Sequence, residues 1–194
     1  MEKINSLYKA HCQNPSDINE HLPTLLKYAS ECNHITEMGV RWVSSTWALL
    51  LSKPEKMISY DIVKHQSVEN VLNLAREYNL NYSFIESDVL KVSIEQTELL
   101  FIDTLHTYNQ LISELKLHSK MSTKYIILHD TETFGHKDEV IYVHASEIIK
   151  SKHTEKVGLW NAVLDFLSNE EDGQNWEVFE KFTNNNGLTI LKRK

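Results

Sequence analysis

Ile35-Thr36-Glu37-Met38-Gly39-Val40-Arg41, followed by Ser44-Ser45-Thr46 and, one helix later, by Met57-Ile58-Ser59-Tyr60-Asp61, reads as a short apolar strand, a glycine turn, a helix start and a second strand ending in an acid. Gly39 has no Cβ, so its backbone can approach a ligand closely. Asp61, at the end of the second strand, stands where a carboxylate accepts hydrogen bonds from ribose hydroxyls. The arrangement suits an adenosine-containing ligand.

The missing glycines narrow the choice. A pyrophosphate is held by bare backbone in G-x-G-x-x-G at a helix N-terminus, and here Arg41 and Ser44 occupy the later glycine positions. Glu37 argues the same way, because a carboxylate at the strand end repels phosphate and suits the sulfonium or ammonium of S-adenosylmethionine.

Outward from this stretch, the 194 residues are enough for one domain with one sizeable core. With 41% hydrophobic and 24% charged residues, the composition is that of a soluble globular chain. Apolar runs long enough for a membrane span are missing, and the polar start Met1-Glu2-Lys3-Ile4-Asn5 lacks a signal-peptide core, so a cytoplasmic protein is expected. A formal net charge of −7, with basic residues clustered only at Lys192-Arg193-Lys194, argues against a nucleic-acid surface. Cys12 and Cys32 show neither CxxC spacing nor disulfide-scaffold density and read as reduced and structural.

Strand and helix alternate along the whole chain. Residues 1–33 form a helical segment in which Leu22, Leu25, Leu26 and Ala29 make one apolar face and Pro23 sits in a first turn. Strands are predicted over His34 to Val40, Met57 to Asp61, Tyr82 to Asp88, Leu99 to Asp103 and Tyr125 to Asp130. The helix from about Ser45 to Leu51 is apolar almost all round and should be buried. Helical spacing marks Val68, Val71, Leu72, Ala75 and Tyr78, then Tyr108, Leu111, Ile112 and Leu115, then Trp160, Val163, Leu164 and Leu167. Strands four and five are apolar without alternation, as in a parallel sheet covered by helices on both faces. Trp176 to Thr183 and Leu188 to Lys192 flank Asn184-Asn185-Asn186-Gly187, whose residues favour positive φ, and read as a hairpin. The fold class is α/β: a doubly wound, mostly parallel, seven-stranded sheet ending in an antiparallel hairpin.

The ordered set of Glu37-x-Gly39-x-Arg41 with its Ser-Thr helix start, Asp61, Asp103-Thr104-Leu105-His106-Thr107-Tyr108, His129-Asp130 and the Asn-Asn-Asn-Gly-Leu-Thr hairpin resembles the class I S-adenosylmethionine-dependent methyltransferases. It is most similar to the small branch containing cephalosporin-hydroxylase-like and macrolide-sugar O-methyltransferase-like proteins. The resemblance runs from about Leu22 to the C-terminus. It implies a Rossmann-like fold, S-adenosylmethionine as cofactor, and O-methylation of a small hydroxylated acceptor such as a sugar or glycoconjugate. Glu37 and Gly39 would line the methionine half, Asp61 the ribose, and Asp88 with Ser87 the adenine; Arg41, Ser45 and Asp103 would also contact the cofactor, and Asp103 and the catalytic Asp130 would project from adjacent strand ends.

Asp103, His129 and Asp130 form a candidate ligand set for Mg²⁺, which can orient a vicinal diol and lower the pKa of its hydroxyl. Related metal-dependent enzymes carry two adjacent acidic or amide ligands on strand five, whereas here His129 precedes Asp130. The imidazole favours Mn²⁺, and a metal-free reaction stays open. Methyl transfer from a sulfonium is an in-line displacement, so the protein must aim the acceptor oxygen and relieve it of a proton. His106 and His129 are candidate bases, with a structural hydrogen-bonding role as the alternative for each.

Residues 132–155, including Phe134, Gly135, His136, Tyr142, His144 and His153, exceed a normal connector and read as a lid insertion. The spacing of these histidines does not build a zinc site. Trp42 is expected in the core and Tyr108 in packing. Two other functions remain open, a non-catalytic scaffold on the same fold and a metal-dependent hydroxylase or hydrolase. Pairing into a homodimer through the first helix or the insertion is also left open.

Overall fold

The computed structural model describes residues 1–152 and 154–194, so His153 of the expected insertion lies outside the described residues. Seven strands, β1 (His34–Met38), β2 (Lys56–Asp61), β3 (Tyr82–Glu86), β4 (Thr97–Ile102), β5 (Ser122–His129), β6 (Trp176–Phe182) and β7 (Leu188–Arg193), form one sheet in the order β3-β2-β1-β4-β5-β7-β6. The first five are parallel, and β7 runs antiparallel to both β5 and β6. This is the doubly wound, mostly parallel sheet with a terminal hairpin that the alternation of apolar and turn segments implies.

The continuous apolar strands are explained by their two buried faces. Ile35, Met57, Leu99, Phe101, Tyr125 and Ile127 pack on one side with α1 (Glu2–Gln13), α2 (Leu22–Ala29), α3 (Ser44–Leu51) and α4 (Ser67–Glu77). Their neighbours Met38, Ile58, Tyr60, Leu100, Ile102, Ile126 and Leu128 pack on the other with α5 (Tyr108–His118) and α7 (Leu159–Asn169). Successive strand residues point to opposite faces, so apolar residues follow one another along the buried strands. α3, apolar almost all round, is buried from Ser45 to Leu50 as expected.

Several boundaries move, β4 ending at Ile102 and β5 at His129, each one residue before the expected acid. β1 stops at Met38 rather than Val40, because Gly39 turns with φ +85°, and β3 stops at Glu86, with Asp88 capping a single helical turn over Val89–Lys91. Between β5 and α7 lies the insertion, which carries the short helix α6 (Glu147–Lys150). Among the described residues, no helix is long and apolar enough to cross a membrane.

The strand register places the site. Met38 pairs with both Tyr60 and Ile102, and Ile102 pairs with Leu128, so the ends of β2, β1, β4 and β5 form one edge. The chain order reverses between β1 and β4, and in open α/β sheets ligands bind beyond the carboxyl ends of the strands at such a point.

Candidate functional site

A cavity of about 450 Å³ opens at that edge. Its floor is the turn after β1, where Gly39, Arg41 and Val43 all have positive φ. A Cβ on Gly39 would overlap the Asp103 carbonyl, so glycine is needed there both for its φ and for the close approach of the two strand exits. Val43, a β-branched residue in the left-handed region, is held by the hydrogen bond from its N–H to Val40 O (2.8 Å). Asp61 organises the turn, its Oδ2 accepting from Val40 N (2.8 Å) and Arg41 N (3.1 Å) and its Oδ1 from Val63 N (3.1 Å). A carboxylate has about four acceptor positions, so one is left toward the cavity.

Gly39, Arg41, Ser45, Asp61, Asp88, Asp103, His106 and Asp130 all line this cavity. Glu37 and His129 do not. Glu37 is fully buried, with its oxygens accepting from Ser45 Oγ (2.7 Å), Ser59 Oγ (2.5 Å) and Thr46 Oγ1 (3.0 Å). Burial pushes its carboxyl up to about 7, with the three hydroxyls opposing. Its place is beneath the turn, behind the cavity lining. Ser45 reaches the wall with its hydroxyl committed to Glu37, and Arg41 points outward to Asp17 (3.4 Å).

The chemical centre is a knot of imidazoles and carboxylates from β4, β5 and the insertion. His106 Nε2 hydrogen-bonds Asp103 Oδ1 (3.2 Å) and lies 3.0 Å from Asp130 Oδ2, while its Nδ1 sits 3.0 Å from Glu139 Oε2 but off the hydrogen-bonding direction. His129 Nδ1 hydrogen-bonds Asp103 Oδ1 (3.3 Å) and lies 3.2 Å from Asp130 Oδ2, while Nε2 contacts the carbonyl of Asp17 (3.1 Å). Phe134 stacks on His106 at 5.0 Å. Burial disfavours the charged rings, but the carboxylates outweigh it, raising His106 well above its ordinary value and His129 to about 10. In return, against their own burial, the imidazoles hold Asp130 at about 2 and Asp103 far below the carboxylate range. The carboxylates thus favour the protonated ring in both histidines, which weakens each as a base. Asp130 lines the cavity, its buried Oδ1 has no hydrogen-bond partner, and its backbone sits at φ +59°. Strain of that kind at a ligand-facing residue persists only where its surroundings over-determine it.

These residues also fit a divalent ion. One atom each from Asp103, His129 and Asp130 lies within 4.8 Å of the others. The Asp17 carbonyl fixes the proton on His129 Nε2, leaving Nδ1 toward both carboxylates, as the outer partners of metal-bound histidines commonly do.

Some participants had no legible signal. Asp17, Glu139, Tyr142 and Ser146 line the cavity from the α1–α2 connection and the insertion. The insertion, residues 132–155, contains Glu139, Tyr142 and Ser146, of which the sequence singles out Tyr142; no signal marks Asp17. Trp42 corrects its core expectation: it is 62% exposed, stands at the cavity wall and faces His65 at 5.5 Å. Its position one residue before the left-handed Val43 throws it outward. Tyr108 does pack, with its hydroxyl donating to Asp165 (2.7 Å).

A parallel sheet with this strand order, a glycine turn after β1 and a terminal hairpin is the Rossmann-like methyltransferase fold. Over its full length the chain matches a protein from Staphylococcus aureus assigned as a caffeoyl-CoA O-methyltransferase, at 12% identity, with all of that chain covered and a TM-score of 0.62. It also matches over its full length the methyltransferase PaMTH1 of Podospora anserina bound to S-adenosylhomocysteine, at 12% identity, 88% of that chain and TM-score 0.62. Over 97% of each chain it matches the N-methyltransferase NodS of Bradyrhizobium japonicum WM9 in complex with S-adenosylhomocysteine, at 10% identity and TM-score 0.60. At such identities the likeness is one of fold. No family model matches the chain, and no curated protein matches it in sequence.

Proposed function

We propose that this protein is an S-adenosylmethionine-dependent O-methyltransferase acting on a small hydroxylated molecule, with a sugar or glycoconjugate as the favoured acceptor class. The observation that carries the reading is the Gly39–Arg41 turn folded around Asp61 and opening on the same cavity as Asp103, His106 and Asp130. Two of the solved structures that share the fold hold S-adenosylhomocysteine, which supports the cofactor.

The cofactor supplies an electrophilic methyl group when bound. Asp61 binds the ribose with its remaining acceptor position, and Asp103 and Asp130 close the other end. Asp103, His129 and Asp130 would hold Mg²⁺ or Mn²⁺, which acidifies an acceptor hydroxyl and orients a diol. Asp130 would aim the acceptor hydroxyl by accepting its hydrogen bond, and His106, held between Asp103, Asp130 and Glu139, fixes the orientation of that carboxylate. Asp17, Asp61, Asp88, Asp103, Asp130 and Glu139 outnumber the Arg41 and His106 cations of the cavity wall and disfavour a phosphorylated or nucleic-acid acceptor.

Calorimetric titration with S-adenosylmethionine and S-adenosylhomocysteine, with and without Mg²⁺ or Mn²⁺, tests the reading. Saturable binding of both is expected, and Asp61→Ala should weaken it at least about tenfold, or 1.4 kcal/mol, while the fold persists. No binding under any condition would sink the cofactor assignment and leave the scaffold reading. Tight iron or zinc binding without cofactor would favour the hydroxylase or hydrolase.

A further inference from the structure

Lys152 Nζ donates to Ser113 Oγ (2.7 Å) and ties the insertion to α5, and two of its other anchors bracket residues 140–145, the second of them at the cavity. At the first, Glu139 N donates to His106 O (2.9 Å), and Asp138 Oδ1 accepts from Tyr108 N (2.8 Å) and Gly158 N (2.7 Å), tying both ends of the insertion to the start of α5. At the second, Ser146 Oγ donates to Asp88 Oδ2 (2.7 Å), a carboxylate 58 residues away in sequence. Asp88 Oδ1 accepts from Leu90 N (3.0 Å), and the mostly exposed Lys91 ammonium lies 3.4 Å from Oδ2. Leu90, Leu105, Ala145 and Ile149 close into a buried apolar cluster around this bond. Between the anchors, Tyr142 and His144 join the cavity wall while Val140 and Val143 stay exposed.

Ser146 has two jobs that chemistry can separate. Its oxygen also accepts from Ile148 N (3.2 Å), capping α6. The cap needs only an acceptor, whereas the bond to Asp88 needs a donor. A hydrogen bond to an ionised partner is worth roughly tenfold to a hundredfold in an equilibrium.

We propose that Ser146 is a positioning residue for the adenosine half of the cofactor: its hydroxyl orients the Asp88 carboxylate and latches the insertion closed over that end of the cavity. The proposal rests on the cofactor reading above. A nucleoside seated against Ser87, Asp88 and Val89 leaves when the Ser146–Asp88 bond opens, so the latch sets the rate of cofactor exchange.

The test uses the full chain and S-adenosylhomocysteine, with dissociation followed by stopped-flow tryptophan fluorescence. Ser146→Ala, which loses cap and latch, and Ser146→Asp, which keeps the cap but sets a second carboxylate against Asp88, are each expected to speed dissociation at least about tenfold. Ser146→Thr, which keeps both bonds, should restore the parent rate. Parent-like dissociation from Ser146→Asp would overturn the latch, because a purely structural cap survives in that variant. Should the parent chain fail to bind S-adenosylhomocysteine, the assignment of the ligand falls. Hydrogen exchange of the ligand-free protein then judges the latch alone: faster exchange over residues 140–150 in Ser146→Asp than in Ser146→Thr upholds it, and equal exchange overturns it.

Discussion

Two groups of carboxylates meet at the same edge of the sheet in opposite surroundings. Glu37, on β1, is enclosed by three neutral hydroxyls and its carboxyl is pushed up to about 7. Asp103 and Asp130, following β4 and β5, face two imidazoles and stay ionised, with one oxygen of Asp130 unpartnered beside the cavity. Hydroxyls can satisfy a buried carboxyl in either protonation state, because each is both donor and acceptor. Imidazoles that gain a proton fix the opposite charge on the acids and hold it ready for a cation or a hydroxyl. The residue type is nearly the same in both places; the partners make one structural and the other reactive.

Gly39 joins the two groups, and replacing it strikes both. Gly39→Ala forces a Cβ into the Asp103 carbonyl at φ +85°, and urea denaturation should show a loss of more than about 4 kcal/mol. Retention of near-parent stability would mean that the two strand exits do not meet as described.

Glu37→Gln sharpens the contrast through pH. The folded-state pKa of Glu37 is raised, so its contribution is complete below the unfolded value near 4.5 and is lost as pH climbs through about 7. Glutamine does not titrate, and Glu114, also pushed to about 7 by burial, titrates in both proteins and cancels. The parent should therefore lose about 3 kcal/mol relative to Glu37→Gln between pH 4.5 and 7.5, measured by urea titration at each end. A flat difference would show that Glu37 is ionised like its neighbours and would erase the distinction.

Asp130→Asn tests the open cluster. It preserves shape while removing the charge, and Mn²⁺ affinity should fall about tenfold to a hundredfold by calorimetry, or about 1.4 to 2.7 kcal/mol. The smallest effect is expected at the exposed rim. Trp42→Ala should change stability by no more than about 0.5 kcal/mol, and a much larger loss in thermal denaturation would restore the core role expected of it.

The strands, their order of appearance, the glycine turn and the hairpin were legible because each has a local cause. Apolar runs mark strands buried on both faces, Gly39 supplies a φ other residues resist, and Asn184 to Gly187 favour a reversal. The acids after successive strands were legible as a group, since parallel strands in one register must deliver their ends to one edge. Their division was not. Glu37 and Asp103 look alike in the chain, and only the hydroxyls of Ser45, Thr46 and Ser59 around one and the rings of His106 and His129 beside the other separate them.

The sequence by itself determined the sheet, its handed alternation with helices and the edge where a ligand belongs, because these follow from periodicity and from backbone sterics at a few positions. Only the tertiary structure decided that Glu139 clamps His106, that Ser146 reaches Asp88, that Trp42 faces outward and that His129 sits behind the cavity wall. Those are contacts between residues far apart in the chain, set by how separate elements pack, and no local pattern encodes them.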